Sequence, residues 1–252
     1  MSVGQTLAFL AAGFGAGAVN AMAGGGTLIS FPALVATGIP ARTATITSAV
    51  GLLPGYAGGS VAYRRQLAGQ RRRIYVLGVF AVIGAVIGAL VLLVTSEAAF
   101  RVVVPYLILL SCVLLGFQPR IGRAVARRRA VNPTGLAVAG EWGGVLASSV
   151  YGTYFGAGLG ALLLAVLGIF IEDDLQRLNA LKGVLSLIVS VIGVAVFVIF
   201  GAVRWWAALW LVIGSWTGGA AGVRIALRMH PTVLRWAVIV LGVTVAVVMI
   251  VR

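Results

Sequence analysis

Lysine, histidine and cysteine each occur once in this 252-residue chain, and acidic residues number five. The single cysteine, Cys112, excludes an internal disulfide and a multi-cysteine metal site, and its setting in "VVVPYLILLSCVLLGF" reads as packing. Three of the five acids form one turn, "EDD" at 172–174, and His230 sits in the polar stretch "RMHPTVLR". No Ser/His/Asp set, metal-ligand cluster or phosphate-binding loop can be assembled from so few groups, and "GAGLGA" imitates a nucleotide fingerprint without a flanking strand. The expectation is a protein that is not an enzyme and uses no cofactor and no metal.

Charge itself is scarce. Only 10% of residues are charged, against about 25% in soluble domains, while 61% are hydrophobic and the mean hydropathy is +1.11. One soluble core could not hide that much apolar surface. Apolar runs near 20 residues recur along the chain, the length that crosses a bilayer. The fold class expected is all-α, a polytopic integral membrane protein. The amino terminus lacks the basic region of a cleaved signal peptide and reads as the start of the first span.

The charge that is present is one-sided, with a formal net charge of +14. In a soluble chain this balance would suggest nucleic acid as a partner. Here "RRQLAGQRRR" (64–73) and "RIGRAVARRR" (120–129) carry ten of the 19 basic residues, and both lie between apolar segments. Short arginine-rich loops beside spans are the positive-inside signal. Loops 64–73 and 119–134 are therefore expected in the cytoplasm against anionic lipid, with no nucleic-acid partner.

Apolar runs separated by polar breaks fall at roughly 4–39, 44–63, 74–95 and 100–118, then 135–171, 178–200, 206–223 and 235–251. That gives about eight membrane segments in two sets of four. Each set opens with an overlong segment interrupted by glycine. "AGGGTLISFPAL" lines up with "FGAGLGALLLAV", "ATITSAVG" with "QRLNALKG", and "VIGAVIGAL" with "VIGSWTGGA". The organisation expected is two pseudo-symmetric halves, 1–118 and 135–252, joined by a basic linker, 119–134. If each opening segment crosses once, the halves are parallel. If each is re-entrant or crosses twice, they are inverted, and the stretch holding Arg224, Arg228 and Arg235 is also cytoplasmic.

Glycine inside a helix costs about 1 kcal/mol relative to alanine, and in hydrocarbon the freed backbone groups have no water to turn to. Breaks at Gly24, Gly25 and Gly26 with Thr27, and at Gly156 and Gly158, are thus either close helix packing or a ligand site. A half-helix starting after such a break aims its free N–H groups and positive dipole end into the membrane, and two facing ones make an anion site. Asn20, Thr47, Ser48, Asn179 and Ser186 are hydrogen-bonding groups near the breaks or in the following span that either bind an oxyanion, satisfy freed backbone or hold helices together; Tyr154 either lines the pathway or serves as an interface anchor or packing. Lys182, inside "LNALKGVLSLIVSVIG", either attracts an anion or snorkels toward the "EDD" turn. Glu141 in "VAGEWGGV" is either a proton-coupling group or half of an interfacial ion pair.

The early pattern AGGG-T-L-ISFPAL---G-P, the basic loop after the next span and a second glycine-rich copy followed by "LNALKG" resemble the sulfite exporter TauE/SafE family of bacterial permeases. The resemblance covers essentially the whole chain and is strongest over 20–48. It implies a transporter of a small anion, sulfite-like or sulfonate- or organic-acid-like, in a bacterial inner membrane. Ile46-Thr47-Ser48-Ala49 keeps the family's hydroxyl pair without a following lysine, and Lys182 keeps the second-half lysine without the usual Ala-Thr run. Alternating access at a site between the halves is expected. A passive anion channel and a membrane scaffold without a solute stand as alternatives, and homo-oligomerisation is left open.

Overall fold

The computed structural model describes residues 3–22, 25–62, 64–127, 135–226 and 231–251, and the described residues contain helices and turns but no strand. Gly24, Arg228 and His230 and most of the expected linker, 128–134, lie outside them, as do the side chains of Arg224 and Arg235. The helices are α1 (Val3–Met22), α2 (Thr27–Ala36), α3 (Ala41–Ala62), α4 (Arg71–Val94), α5 (Glu97–Arg127), α6 (Gly135–Tyr154), α7 (Leu159–Phe170), α8 (Leu175–Phe200), α9 (Trp205–Ala226) and α10 (Pro231–Val251). Among the described residues, segments of three helices are long and apolar enough to cross a membrane: Arg71–Val94, Glu97–Arg120 and Leu175–Phe200. Residues 119–127, expected as the start of a linker, continue α5 as helix.

Both glycine interruptions are real breaks, and the chain reverses at each. Gly140, Gly144 and Gly152 of α6 face Phe170, Val166 and Leu159 of α7, a falling order that sets the two helices antiparallel. Likewise Gly15 of α1 faces Ile29 of α2, and Gly26 abuts the Ala16 carbonyl. α2 and α7 hold 10 and 12 residues, or about 15–18 Å, roughly half a hydrocarbon core. Each is a short arm folded back against a helix of 20 residues.

Other close approaches fix the remaining directions. Gly84 and Gly88 of α4 meet Leu146 and Val150 of α6 in rising order, so these helices are parallel. Gly13 and Gly17 of α1 meet Leu211 and Ser215 of α9, again parallel, whereas Gly116 faces Ile239 and Gly242 faces Cys112 across antiparallel α5 and α10. Direction therefore alternates from helix to helix, and α6 starts at the end of the bundle opposite to α1. Packing partners correspond between the series: α1 on α9 and α3, α6 on α4 and α8, with α3 against α8 and α5 against α10 between them.

The two ends are tied differently. At one end Arg42 donates its backbone N–H to Glu97 and its guanidinium to the Leu93 and Thr95 carbonyls, at 3.1 and 2.9 Å. At the other, Asp173 accepts from Arg73 at 2.5 Å and from Arg177 at 2.8 Å. Gln70 donates there to the Arg177 carbonyl, and Arg177 to that of Ala68. Asp174 caps α8 by accepting from the Gln176 amide. Cys112 is buried with a free thiol, as its packing role required.

Candidate functional site

The two breaks meet. A Cβ placed on Gly156 would come 3.0 Å from Thr27 Oγ1, and the Phe31 and Phe155 rings close edge to face at 5.7 Å beside them. Both half-helices therefore start at this junction, α2 after Gly26 and α7 after Gly158. Gly156 and Gly158 have φ of +91° and +84°, the left-handed region only glycine enters cheaply. Gly26, by contrast, is right-handed, and its role is to admit the Ala16 carbonyl where a Cβ would collide.

Hydroxyls and one amide hold the breaks in shape. Asn20 Oδ1 accepts from the Gly26 amide at 3.3 Å, Ser30 donates to the Gly26 carbonyl, and Ser30 pairs with Ser48 at 2.6 Å. On the second break Ser111 bonds the Tyr151 hydroxyl at 2.6 Å and the Ala157 carbonyl at 3.1 Å. These groups supply inside the protein the partners that lipid cannot offer.

A cavity of about 30 Å³ opens beside the junction, room for two or three water molecules. Thr27 and Gly156 line it with Thr45, Ala49, Leu52 and Tyr56 of α3, Gly152 and Thr153 of α6, and a face of α8 from Val189 to Phe197 that includes Ser190. Among the described residues no charged side chain is in this lining. Thr153 is 6% exposed and its Oγ1 has no hydrogen-bond partner. The arrangement presents hydroxyl groups to an otherwise apolar space beside two helix starts.

The sequence-predicted residues divide. Thr27 and Gly156 line the cavity, Gly25, Gly26 and Gly158 shape its breaks, and Asn20 braces the first one while its amide faces the Tyr56 hydroxyl. Thr47 is elsewhere, accepting from the Arg204 amide at 3.1 Å to pin residues 201–204 on α3. Ser48 is spent on Ser30. Tyr154 packs on Phe100 and reaches Thr95 at 3.5 Å, toward the Arg42 end. Lys182 and Asn179 bond each other at 3.3 Å and are not gathered with the breaks. Glu141, half-buried with Arg73 as its opposing charge, stands twelve residues before Thr153, about 18 Å along α6.

Sequence reasoning missed Thr45, Tyr56, Thr153 and Ser190. Thr45 and Tyr56 share the face Thr45–Ala49–Leu52–Tyr56, a spacing of four, three and four. Thr153 lies between Tyr151 and Tyr154, and its closeness to the break was the available signal.

The family model for "Sulfite exporter TauE/SafE" matches residues 9–249. A "Probable membrane transporter protein" of Haemophilus influenzae is 26% identical over 91% of this chain and 88% of its own length. A "Probable membrane transporter protein ORF9" of a Sinorhizobium species is 26% identical over 96% and 91%. The "Probable membrane transporter protein YfcA" of Escherichia coli K12 is 22% identical over 90% and 82%. No solved structure matches the chain. Its helices are those of a membrane protein, and a family match running from α1 to α10 spans both breaks and the cavity between them: the chain belongs to the sulfite exporter TauE/SafE family.

Proposed function

We propose that this protein carries a small anion across a bacterial inner membrane, by alternating access at the cavity where the two breaks meet. The carrying observation is that junction: two helix starts and an unpartnered buried hydroxyl, Thr153, meet beside a small cavity lined, among the described residues, by no carboxylate. The positive ends of α2 and α7 and the hydroxyls of Thr27, Tyr56, Thr153 and Ser190 supply the attraction, while Thr45 donates its own to the Ala41 carbonyl. Sulfite, sulfonates and short carboxylates share the required chemistry, a compact group rich in acceptors.

The halves 1–118 and 135–252 act as inverted repeats. Supporting this are the alternating helix directions and the exchange of packing partners between the series. Segments 64–73 and 119–127 sit at one end of the bundle, where α4 and α6 both begin, and α9 ends on that side. Positive-inside bias makes it cytoplasmic, with arginines against anionic lipid.

Thermal unfolding of the purified protein in detergent, with sulfite, sulfate, thiosulfate, sulfonates and short carboxylates in turn, tests the site. An anion at a hundred times its dissociation constant stabilises the fold by about 2.7 kcal/mol, and the same anion enters proteoliposomes saturably. Flux that never saturates would mean a channel. No stabilisation by any of these anions would overturn the reading.

A further inference from the structure

We propose that Lys182 and Asn179 form a second anion station, separate from the cavity and lying between it and the arginine-rich end of the bundle. The proposal rests on the transport reading above and deepens it.

Lys182 Nζ donates to Asn179 Oδ1 at 3.3 Å, and both ion pairs among the described residues fall on Asp173. The ammonium therefore has an amide oxygen beside it and no carboxylate. A cation inside an apolar helix is expensive, and such residues face cavities and ion paths. Its location shows which path. Asn179, Lys182, Ser186 and Ser190 follow at intervals of three, four and four residues, one face of α8. That same face continues into Val189, Gly193 and Phe197, which line the cavity. Ser186 is 4% exposed, and its hydroxyl has no partner. It lies one turn from Lys182 and one turn from Ser190, an unspent donor between the two places.

The separation is set by helix geometry. Lys182 precedes Val189 by seven residues, about 10 Å of rise, and its ammonium turns back toward Asn179, away from the cavity. An anion on this ammonium does not touch Thr153, which packs against Gly193. Toward the end of the bundle, Arg73 and Arg177 are both held by Asp173. Lys182 is thus the first cation on this face of α8, among the described residues, that an incoming anion meets without displacing an acid. Ammonium, amide and hydroxyl without a carboxylate fit a small oxyanion or carboxylate.

Because Lys182 is the only lysine, reductive methylation with ¹³C-formaldehyde places label on it and on the amino terminus alone. Sulfite, sulfate, thiosulfate and acetate are titrated at constant ionic strength while the Lys182 resonance is followed. The expected result is a saturable shift that persists in Gly156→Ala and in Thr153→Val, variants altered at the cavity. A shift abolished in both variants would mean that Lys182 only senses cavity occupancy, and the second station would be withdrawn. No shift with an anion that does stabilise the fold would remove the station and leave the transport reading standing. No shift and no stabilisation would remove both. In proteoliposomes Lys182→Gln should raise KM about tenfold at low salt, with the difference shrinking at high salt and the maximal rate kept. A fall in maximal rate at unchanged KM would count against a capture role.

Discussion

Gly156→Ala separates backbone strain from loss of the site. At φ +91° an alanine is in a region costing of order 1–3 kcal/mol, and its Cβ would lie 3.0 Å from Thr27 Oγ1, closer than side chains normally pack. Gly38 supplies the control. Its φ is +84°, and nothing lies within 4 Å of a Cβ built there. Gly38→Ala therefore carries the same strain without touching the cavity. Both variants should lower the unfolding midpoint in detergent by about 2–12 °C. Only Gly156→Ala also places a methyl group in a space of about 30 Å³, the room of one of its few waters. Uptake into proteoliposomes should fall at least tenfold in Gly156→Ala and stay within twofold in Gly38→Ala. Equal uptake by the two variants would refute the assignment of the junction as the solute's passage.

Thr153→Val keeps the side chain's shape and removes a buried hydroxyl without a partner. The midpoint should hold or rise, by up to about 1 kcal/mol in stability, while anion-induced stabilisation is lost. Ser48→Ala breaks the pair with Ser30 and should cost about 1 kcal/mol with KM unchanged, separating bracing from binding. Partial burial acts to raise the Asp173 pKa, but the bond from Arg73, the Asp174 amide and the Arg177 charge outweigh it and hold the carboxyl below its usual value. A carboxylate lowered in the folded state contributes stability above its unfolded pKa and loses it as pH falls through the lowered one. Wild-type stability should thus drop on acidification below about pH 4, and Asp173→Asn should flatten that slope in thermal unfolding scans.

The two breaks were legible because glycine at membrane depth is costly enough to stand out in an apolar run, and the all-helical fold followed from the scarcity of charge. That the breaks face each other is the expectation from their helix ends, but which residues touch, Thr27 against Gly156, depends on how α2 and α7 fold back against α1 and α6. Thr47 and Ser48 show the limit most clearly. A hydroxyl beside a break looks the same in sequence whether it awaits a solute or an amide, and here both are taken, by Arg204 and Ser30. Ser190 and Tyr56 were hidden for the converse reason, because the rotation of α8 and α3 decides which small polar residue faces inward. Lys182 stood out by charge, yet charge alone did not say it sits about two turns from the cavity.

The ties at the two ends of the bundle differ in kind, and that bears on what can loosen them. Where Arg73 and Arg177 share Asp173, the strap 66–73 is stitched to the first turn of α8 by an ion pair together with the Gln70 and Arg177 bonds. At the other end Arg42 bonds Glu97 and the Leu93 and Thr95 carbonyls, and the Arg204 amide adds a bond to Thr47. Salt screens an ion pair and acid discharges its carboxylate, so the Asp173 end carries a fastening that the surrounding solution can loosen.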